Sequence, residues 1–294
     1  MKNRVIYKKK NQRSKKMKNQ KLIFILIGAF CVFALIAGIY TQFFVEKSEN
    51  DTQDPTNNIN NDIKPKTQEE IKTQLSNLFT NELISNNYDV TNLQKRNESK
   101  DIVYSAYDIQ KQEENYEVDI HLPVVNIKGD VPTEFNKTTQ SIFVNKASEI
   151  LNNKYTEKVI YSVDYIAYIN DNILSLVIKS TLKQGNNPQR VIVQTYNYNL
   201  ETGEKVQLAD VLTKKNIVQT DCQNKINEIV TKAQEEAQVL LQSGYTVYNR
   251  NLSDSIYQIS NISTFFLGKN QELYIIFAYG NQNYTSEMDV VLYE

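Results

Sequence analysis

The feature that most constrains this chain is one uninterrupted apolar segment, residues 22–40, in which 19 consecutive residues carry no charge. At about 1.5 Å per residue, a helix of this length spans roughly 30 Å, the thickness of a bilayer hydrocarbon core. The sequence therefore predicts a transmembrane helix, which we place with its flanking residues at 22–44.

Charge is distributed very unevenly on the two sides of this segment. Ten of the 33 basic residues precede it, and all 34 acidic residues follow it. Basic residues flanking a membrane span stay in the cytoplasm, so residues 1–21 are predicted to be a basic cytoplasmic segment and the rest to be exported. This orientation predicts a single-pass protein of the cell membrane with an extracellular C-terminal domain.

A cleaved signal peptide is the alternative interpretation of the apolar segment. Such a peptide needs a shorter apolar core and small residues at the cleavage site, whereas cleavage after Ala37 would place Leu35 at the −3 position. We therefore favour an uncleaved anchor. We interpret the basic residues as a topology signal, and we expect no nucleic-acid partner.

The region after the anchor divides into a linker and a folded part. Residues 45–66 contain almost no apolar side chains, which predicts a flexible linker. Beyond position 40 the chain carries 23 basic and 34 acidic residues, a net charge of −11. A domain with this charge would attract a cationic partner and speed its encounter.

Within residues 67–294, three segments show apolar residues at helical spacing. The first follows Thr67 and includes Ile71, Leu75 and Leu83; the second runs from Asp130 to about position 151; the third runs from position 217 to 241 and includes Cys222, Leu240 and Leu241 on its apolar stripe. As the only exported cysteine, Cys222 has no intramolecular disulfide partner.

Strand patterns surround these helices. The predicted strands cover residues 103–109, 116–122, 159–169, 173–182, 191–200, 263–267, 273–279 and 288–293. The turn Asn170, Asp171 and Asn172 predicts a hairpin between two of them. Together these patterns predict an α+β fold of antiparallel sheet hairpins packed with two long helices, with a first half at about 100–200 and a second at about 201–294.

Few residues suited to catalysis or metal binding are present: the chain has one His, two Cys and no Trp. His121 lies in a strand pattern and is interpreted as a hydrogen-bonded surface or edge-strand residue. No nucleophile, zinc, phosphate-loop or dinucleotide motif occurs. We therefore expect no catalytic residues, no metal site and no cofactor. A cell-wall enzyme using acid pairs such as Glu113 with Glu114, or Glu235 with Glu236, is one alternative, and a non-catalytic envelope scaffold is another.

Tyrosine is abundant in the exported region, and several tyrosines fall in neighbouring predicted strands. These are Tyr161, Tyr165, Tyr168, Tyr196 and Tyr198. Tyrosine serves both as a core residue with its hydroxyl at the rim and as a preferred interface residue. The pattern supports a binding module without identifying its ligand.

Residues 196–212 (YNYNLETGEKVQLADVL) resemble the strand, Thr-Gly turn and Leu-x-Asp-Leu-like segment of a bacterial extracytoplasmic domain family. This family includes the lysozyme-sensing anti-sigma factor RsiV and the non-catalytic part of the peptidoglycan deacetylase PdaC. The order of elements from about residue 102 onward also resembles this family. The resemblance implies the fold of the exported domain and a Gram-positive cell-envelope setting.

The same resemblance indicates partner-binding residues near the C-terminus. In the family, a strand leads into a Pro-Tyr-Glu-Ile-Ala-Pro-Tyr type segment that contributes to partner binding. Here Tyr279 and Tyr284 keep the spacing of the two tyrosines, while Ala278 and Asn283 replace the prolines and Gly280 replaces the acid. The resemblance implies that Tyr279 and Tyr284 bind a partner, either a cationic protein such as lysozyme or a cell-wall component. The short basic segment offers little apolar surface for a sigma factor, which counts against that partner.

Overall fold

The computed structural model of the protein describes residues 66–86 and 88–294, which belong to one compact unit, Lys64–Glu294. The predicted basic segment, the predicted transmembrane helix and all but Lys66 of the predicted linker lie outside the described residues. Within the described ranges, no helix has both the length and the apolar character needed to cross a bilayer. The described part is an α+β fold, as the sequence predicts.

Six strands form the larger sheet, and most of their bounds match the predicted strands within a few residues. They are β1 (Leu83–Asn86), β2 (Val103–Gln112), β3 (Tyr116–Val125), β4 (Val159–Asn170), β5 (Ile173–Gln184) and β6 (Arg190–Asn199). The order is β2-β3-β4-β5-β6, and β1 pairs with the end of β4. The predicted β4–β5 hairpin is confirmed: Asp171 takes the positive φ of 50° that its turn requires.

Two pairings in this sheet are parallel, which differs from the purely antiparallel hairpins that the sequence predicts. Both β1 and β3 run parallel to β4. The chain between β3 and β4 crosses the sheet as α2 (Asp130–Thr139), a π-helical turn (Gln140–Val144) and α3 (Asn145–Asn152). A helical crossover of this length returns the chain in its original direction, so the pairing that follows is parallel.

The first helix, α1 (Gln68–Ser76), is shorter than predicted. Its start is fixed by a capping box, in which the Thr67 hydroxyl accepts from the backbone N–H of Glu70 and the Glu70 carboxylate accepts from the backbone N–H of Thr67. The prediction that Leu83 continues this helix is wrong, because Leu83 begins β1 and pairs with Ala167. An apolar residue at helical spacing is equally able to pack from a strand.

A smaller antiparallel sheet has both faces buried. Its strands are β7 (Phe265–Leu267), β8 (Leu273–Ala278) and β9 (Met288–Tyr293). Phe266, Tyr274 and Ile276 pack with α1 and one face of the larger sheet. The residues that alternate with these along the strands lie on the opposite face of the small sheet. They pack with two further helices, α4 (Leu208–Lys214) and α5 (Gln219–Gln242). The opposite face of the larger sheet packs against α2, the π-helical turn and α3.

The longest of the described helices, α5, buries the stripe that the sequence predicts, but only along part of its length. Cys222, Ile226 and Val230 are fully buried. The prediction is wrong for the final turn, where Leu240 is 47% exposed and Leu241 is 51% exposed. The apolar pattern of the sequence continues into this turn, but none of the described elements covers it.

Two matched substitutions in α5 test this division of the helix. Val230→Ala removes two buried carbon atoms at a site with no solvent exposure, at about 0.8 kcal/mol per buried methylene plus a cavity term. We expect the free energy of unfolding to fall by about 2 kcal/mol, measured by urea denaturation. Val239→Ala changes a side chain that is 63% exposed and should alter stability by less than about 0.5 kcal/mol. Equal losses in the two variants would contradict the packing described for α5.

Candidate binding site

The segment that carries both predicted partner-binding tyrosines connects β8 to β9, and we call residues 279–287 the β8–β9 connection. It begins with a 3-10 turn, Tyr279–Asn281, and runs along the outer edge of β6. Four hydrogen bonds seat it there: Arg190 Nε to Gly280 O (2.7 Å), Val191 N to Thr285 O (3.1 Å), Val193 N to Asn281 Oδ1 (3.0 Å) and Asn281 Nδ2 to Val193 O (2.9 Å). The connection therefore satisfies backbone groups of an edge strand that would otherwise be open.

The connection approaches β6 so closely that only glycine fits at position 280. A Cβ atom on Gly280 would lie 1.7 Å from the carbonyl oxygen of Val191 and 2.7 Å from that of Thr285. Both neighbours are backbone atoms and cannot rotate away. Position 280 is therefore used for contact with the sheet.

A buried ion pair holds the other end of the connection. Arg250 and Asp289 form a two-pronged contact, with Nε to Oδ2 at 2.7 Å and Nη2 to Oδ1 at 3.1 Å. The side chain of Asp289 has no solvent exposure and that of Arg250 has 5%. Arg250 Nη1 also donates to Glu287 Oε2 and to the carbonyl of Tyr248, each at 3.1 Å. Burial acts to lower the pKa of Arg250, but its hydrogen bond to Asp289 and the carboxylate charges outweigh burial and raise it.

Tyr279 belongs to this buried cluster and is 1% exposed. Its hydroxyl donates to Asp289 Oδ2 and accepts from the hydroxyl of Tyr257 at 3.0 Å. Its ring stacks on Tyr248 with centroids 4.0 Å apart, and the guanidinium of Arg250 lies 4.8 Å from the ring centre. Burial, followed by the charge of Asp289, raises the pKa of Tyr279, so the phenol stays protonated. Tyr279 therefore fixes the start of the β8–β9 connection from within the core.

Tyr284 occupies the opposite situation, at the surface of the same connection. It is 39% exposed, and the guanidinium of Arg190 lies 5.7 Å from its ring centre. An aromatic ring beside a cation is a recurrent feature of protein interfaces. The two predicted tyrosines thus lie on one segment but differ in access, and the partner-binding role itself stays a prediction.

The five tyrosines in neighbouring strands do not form a surface. Their exposed fractions are 4% or less, for Tyr161, Tyr165, Tyr168, Tyr196 and Tyr198 alike. Of the two roles considered for them, core packing is the one the structure supports. Four of them pack on the helix-covered face of the larger sheet, and Tyr168 packs on the other face.

The other chemistry-bearing residues lie outside this site. His121 lies opposite Asp108 across β2 and β3, with Nδ1 3.0 Å from Asp108 Oδ1 and Nε2 3.3 Å from Asp119 Oδ1, and its side chain is 29% exposed. Asp119 Oδ1 has no hydrogen-bond partner among the described residues, so the predicted surface position is confirmed while the predicted hydrogen bonding stays a prediction. The acid pairs at 113–114 and 235–236 are solvent-exposed. In the part of the chain that the structure describes, no three His, Cys, Asp or Glu residues are grouped to hold a metal ion.

Comparison with known proteins identifies similar solved structures of one family. The first is a DUF3298 family protein from Pseudomonas aeruginosa PAO1, with 16% identity, a TM-score of 0.28 and a match over 46% of this chain and 64% of that one. The second is a DUF3298 family member from Bacteroides fragilis NCTC 9343, with 11% identity, a TM-score of 0.32 and coverage of 60% and 79% respectively. The chain thus spans less than two thirds of the Pseudomonas protein. No protein-family model and no curated protein matches this chain.

Arg250, Asp289 and the other members of the buried cluster are not predicted from the sequence. One signal was available: Asp289 is a lone acid inside the apolar strand pattern Met288, Asp289, Val290, Val291. A charge in a buried strand needs a partner. Nothing in the sequence indicates that this partner lies 39 positions earlier, at Arg250.

Two Asp-to-Asn substitutions test how much the buried pair contributes to the free energy of unfolding. Asp289→Asn removes the charge that compensates a buried guanidinium, and we expect a loss of about 3–5 kcal/mol in the free energy of unfolding. Asp171→Asn breaks the exposed pair with Lys214 (2.8 Å) and keeps a residue that tolerates positive φ, so its cost should stay below about 1 kcal/mol. Chemical denaturation of both variants measures the difference. A small effect at Asp289 would show that the pair does not anchor the connection.

Gly280→Ala tests the seating of the connection on β6. The added Cβ forces two backbone segments apart, and overpacking of this kind costs about 1–3 kcal/mol or more. Backbone amide exchange at Val191 and Val193 should accelerate, because their partners move. Gly268→Ala is the control: its nearest contacts are the end of the Glu272 side chain at 2.7 Å and the Tyr274 ring at 3.1 Å, neither of them on β6, so exchange at Val191 and Val193 should be unchanged. Unchanged exchange at β6 in the Gly280 variant would rule out the close contact.

Proposed function

We propose that this protein is a single-pass, membrane-anchored extracytoplasmic sensor or binding protein of the bacterial cell envelope, similar to the lysozyme-binding domain of RsiV. The proposal takes its membrane setting from the apolar segment at 22–40 and the basic residues before it. The proposed binding site is the β8–β9 connection. The observation that carries this assignment is the contrast between exposed Tyr284 and the buried cluster of Arg250, Asp289 and Tyr279 that supports the connection.

Rigid support is what makes an exposed loop suitable for recognition. The connection is fixed at one end by the Arg250–Asp289 pair and along its length by hydrogen bonds to β6. A partner that contacts Tyr284 would therefore meet a surface whose conformational entropy is already lost. Loops held this way by a scaffold commonly carry binding residues.

The charge of the exported region favours a cationic partner. Its net charge of −11 attracts basic proteins over distances of about a Debye length, roughly 10 Å at moderate salt. Lysozyme, the partner of the resembling family, is one basic protein of this kind. Long-range attraction would raise the association rate, while Tyr284 and Arg190 would supply the close contacts.

The binding test uses the full-length protein in mild detergent, with lysozyme as the probe in calorimetry at low and moderate salt. We expect binding that weakens with salt, and we expect Tyr284→Ala to weaken it by about tenfold or more, as for a central aromatic contact. Tyr245→Ala, at a tyrosine 64% exposed beyond the end of α5, is the matched control and should leave the affinity unchanged. Equal affinities of the two variants would remove Tyr284 from the site, and no binding at either salt concentration would exclude lysozyme as the partner.

A further inference from the structure

A second candidate site lies where the larger sheet divides. The first part of β4 pairs with β3 (Tyr116 to Ile120 opposite Val159 to Val163), and its end pairs with β1. Between these pairings, Asn81 is the described residue that covers the edge of β4: its N–H donates to Tyr165 O at 2.9 Å, and its Oδ1 accepts from Tyr165 N at 2.9 Å. A bulge in β2 between Ser105 and Tyr107 lies at the same level. The separation of the strands opens a cleft that shares no residue with the β8–β9 connection.

The cleft has a volume of 580 Å³, within the range of about 300–1,000 Å³ typical of small-molecule sites. Its lining combines apolar and polar side chains. The apolar members are Leu83, Val90, Ile102, Val103 and Ile169. A cavity of this size accommodates one amino acid or a comparably small metabolite.

Two hydroxyl groups in the cleft lining have no hydrogen-bond partner within the described part of the chain, and the one of Ser105 is fully buried. Tyr165 as a whole is 2% exposed, and its hydroxyl, which is not fully enclosed, makes no hydrogen bond to the described residues. The hydroxyl of Ser105 is buried and likewise unpaired. Burial, with the charges of Glu82, Asp108 and Asp101, raises the pKa of Tyr165 to about 12, so it is a hydrogen-bond donor at neutral pH. Buried polar groups without partners are uncommon, and in a cleft they point to a ligand.

The charged groups lining the cleft are also unpaired among the described residues. Glu82 and Asp101 supply two carboxylates and Lys95 supplies one ammonium, and none of the three forms an ion pair there. Asp108, close by, is already engaged by His121. Two negative groups and one positive group complement a ligand with two positive groups and one negative group.

We propose that this cleft binds a free dibasic amino acid, its two ammonium groups facing Glu82 and Asp101, its carboxylate facing Lys95, and its aliphatic chain on the apolar lining. Tyr165 and Ser105 complete the polar contacts of the bound molecule. A monoamine would leave one carboxylate without a partner, and a diamine without a carboxylate would leave Lys95 unpaired. Selectivity for the dibasic zwitterion follows from this count of charges.

The test titrates L-lysine into the full-length protein in mild detergent and measures binding by calorimetry. Three analogues each remove one charged group: L-norleucine lacks the side-chain ammonium, 6-aminohexanoate lacks the α-ammonium, and 1,5-diaminopentane lacks the carboxylate. We expect lysine to bind and each analogue to bind about fivefold more weakly or worse, as for the loss of one partly exposed ion pair. No binding of lysine, or equal binding of all four compounds, would overturn the proposal.

Substitutions locate the binding in the cleft. Tyr165→Phe removes only the hydroxyl and should weaken lysine binding about tenfold, as for a hydrogen bond to a charged group. Tyr168→Phe is the matched control, because Tyr168 is also buried in β4 but packs on the other face of the sheet. Glu82→Gln, at an exposed residue whose loss should not affect folding, gives an independent test and should weaken binding about fivefold. Wild-type affinity in both Tyr165→Phe and Glu82→Gln would show that lysine binds elsewhere.

Discussion

The small sheet formed by β7, β8 and β9 is buried on both faces, and this constraint organises the second half of the molecule. One face completes the core shared with the larger sheet, and the other packs against α4 and α5. A strand in such a position has no room for an unpaired charge, yet β9 contains Asp289. The guanidinium of Arg250 is therefore required to compensate this charge. The residues that contact the pair are held in a fixed geometry as a result.

The fixed geometry extends to the candidate binding site. Tyr279 donates to the same carboxylate and stacks on Tyr248, so the start of the β8–β9 connection is part of the core. From there the chain reaches the surface within a few residues, at Tyr284. Tyr279 thus serves packing, and the proposed recognition role is left to Tyr284, although the sequence contexts of the two tyrosines look alike.

The elements that depend on local pattern were predictable from the sequence. The β4–β5 hairpin follows from strand patterns on either side of a turn rich in Asn and Asp, and the stripe of α5 follows from apolar spacing. The parallel pairing of β1 and β3 with β4 was not predictable, because it is set by contacts between segments far apart in the chain. The sequence likewise does not determine which tyrosines are buried. Alternation along a strand shows that the sheet has two faces, but it does not show which element covers each face. The charge clusters at Arg250 and in the divided sheet are tertiary in origin and leave only weak traces in the sequence.

The way in which the β8–β9 connection is seated on β6 limits how a partner can bind. Asn281 and its neighbours take the place of a further strand, and lifting them away would leave amide and carbonyl groups of β6 free to pair with the same edge of another molecule. A protein that exposed this edge on every binding event would be prone to self-association. If Tyr284 binds a partner as proposed, docking keeps the β6 edge covered only when it proceeds as rigid-body contact, with the loop backbone unmoved.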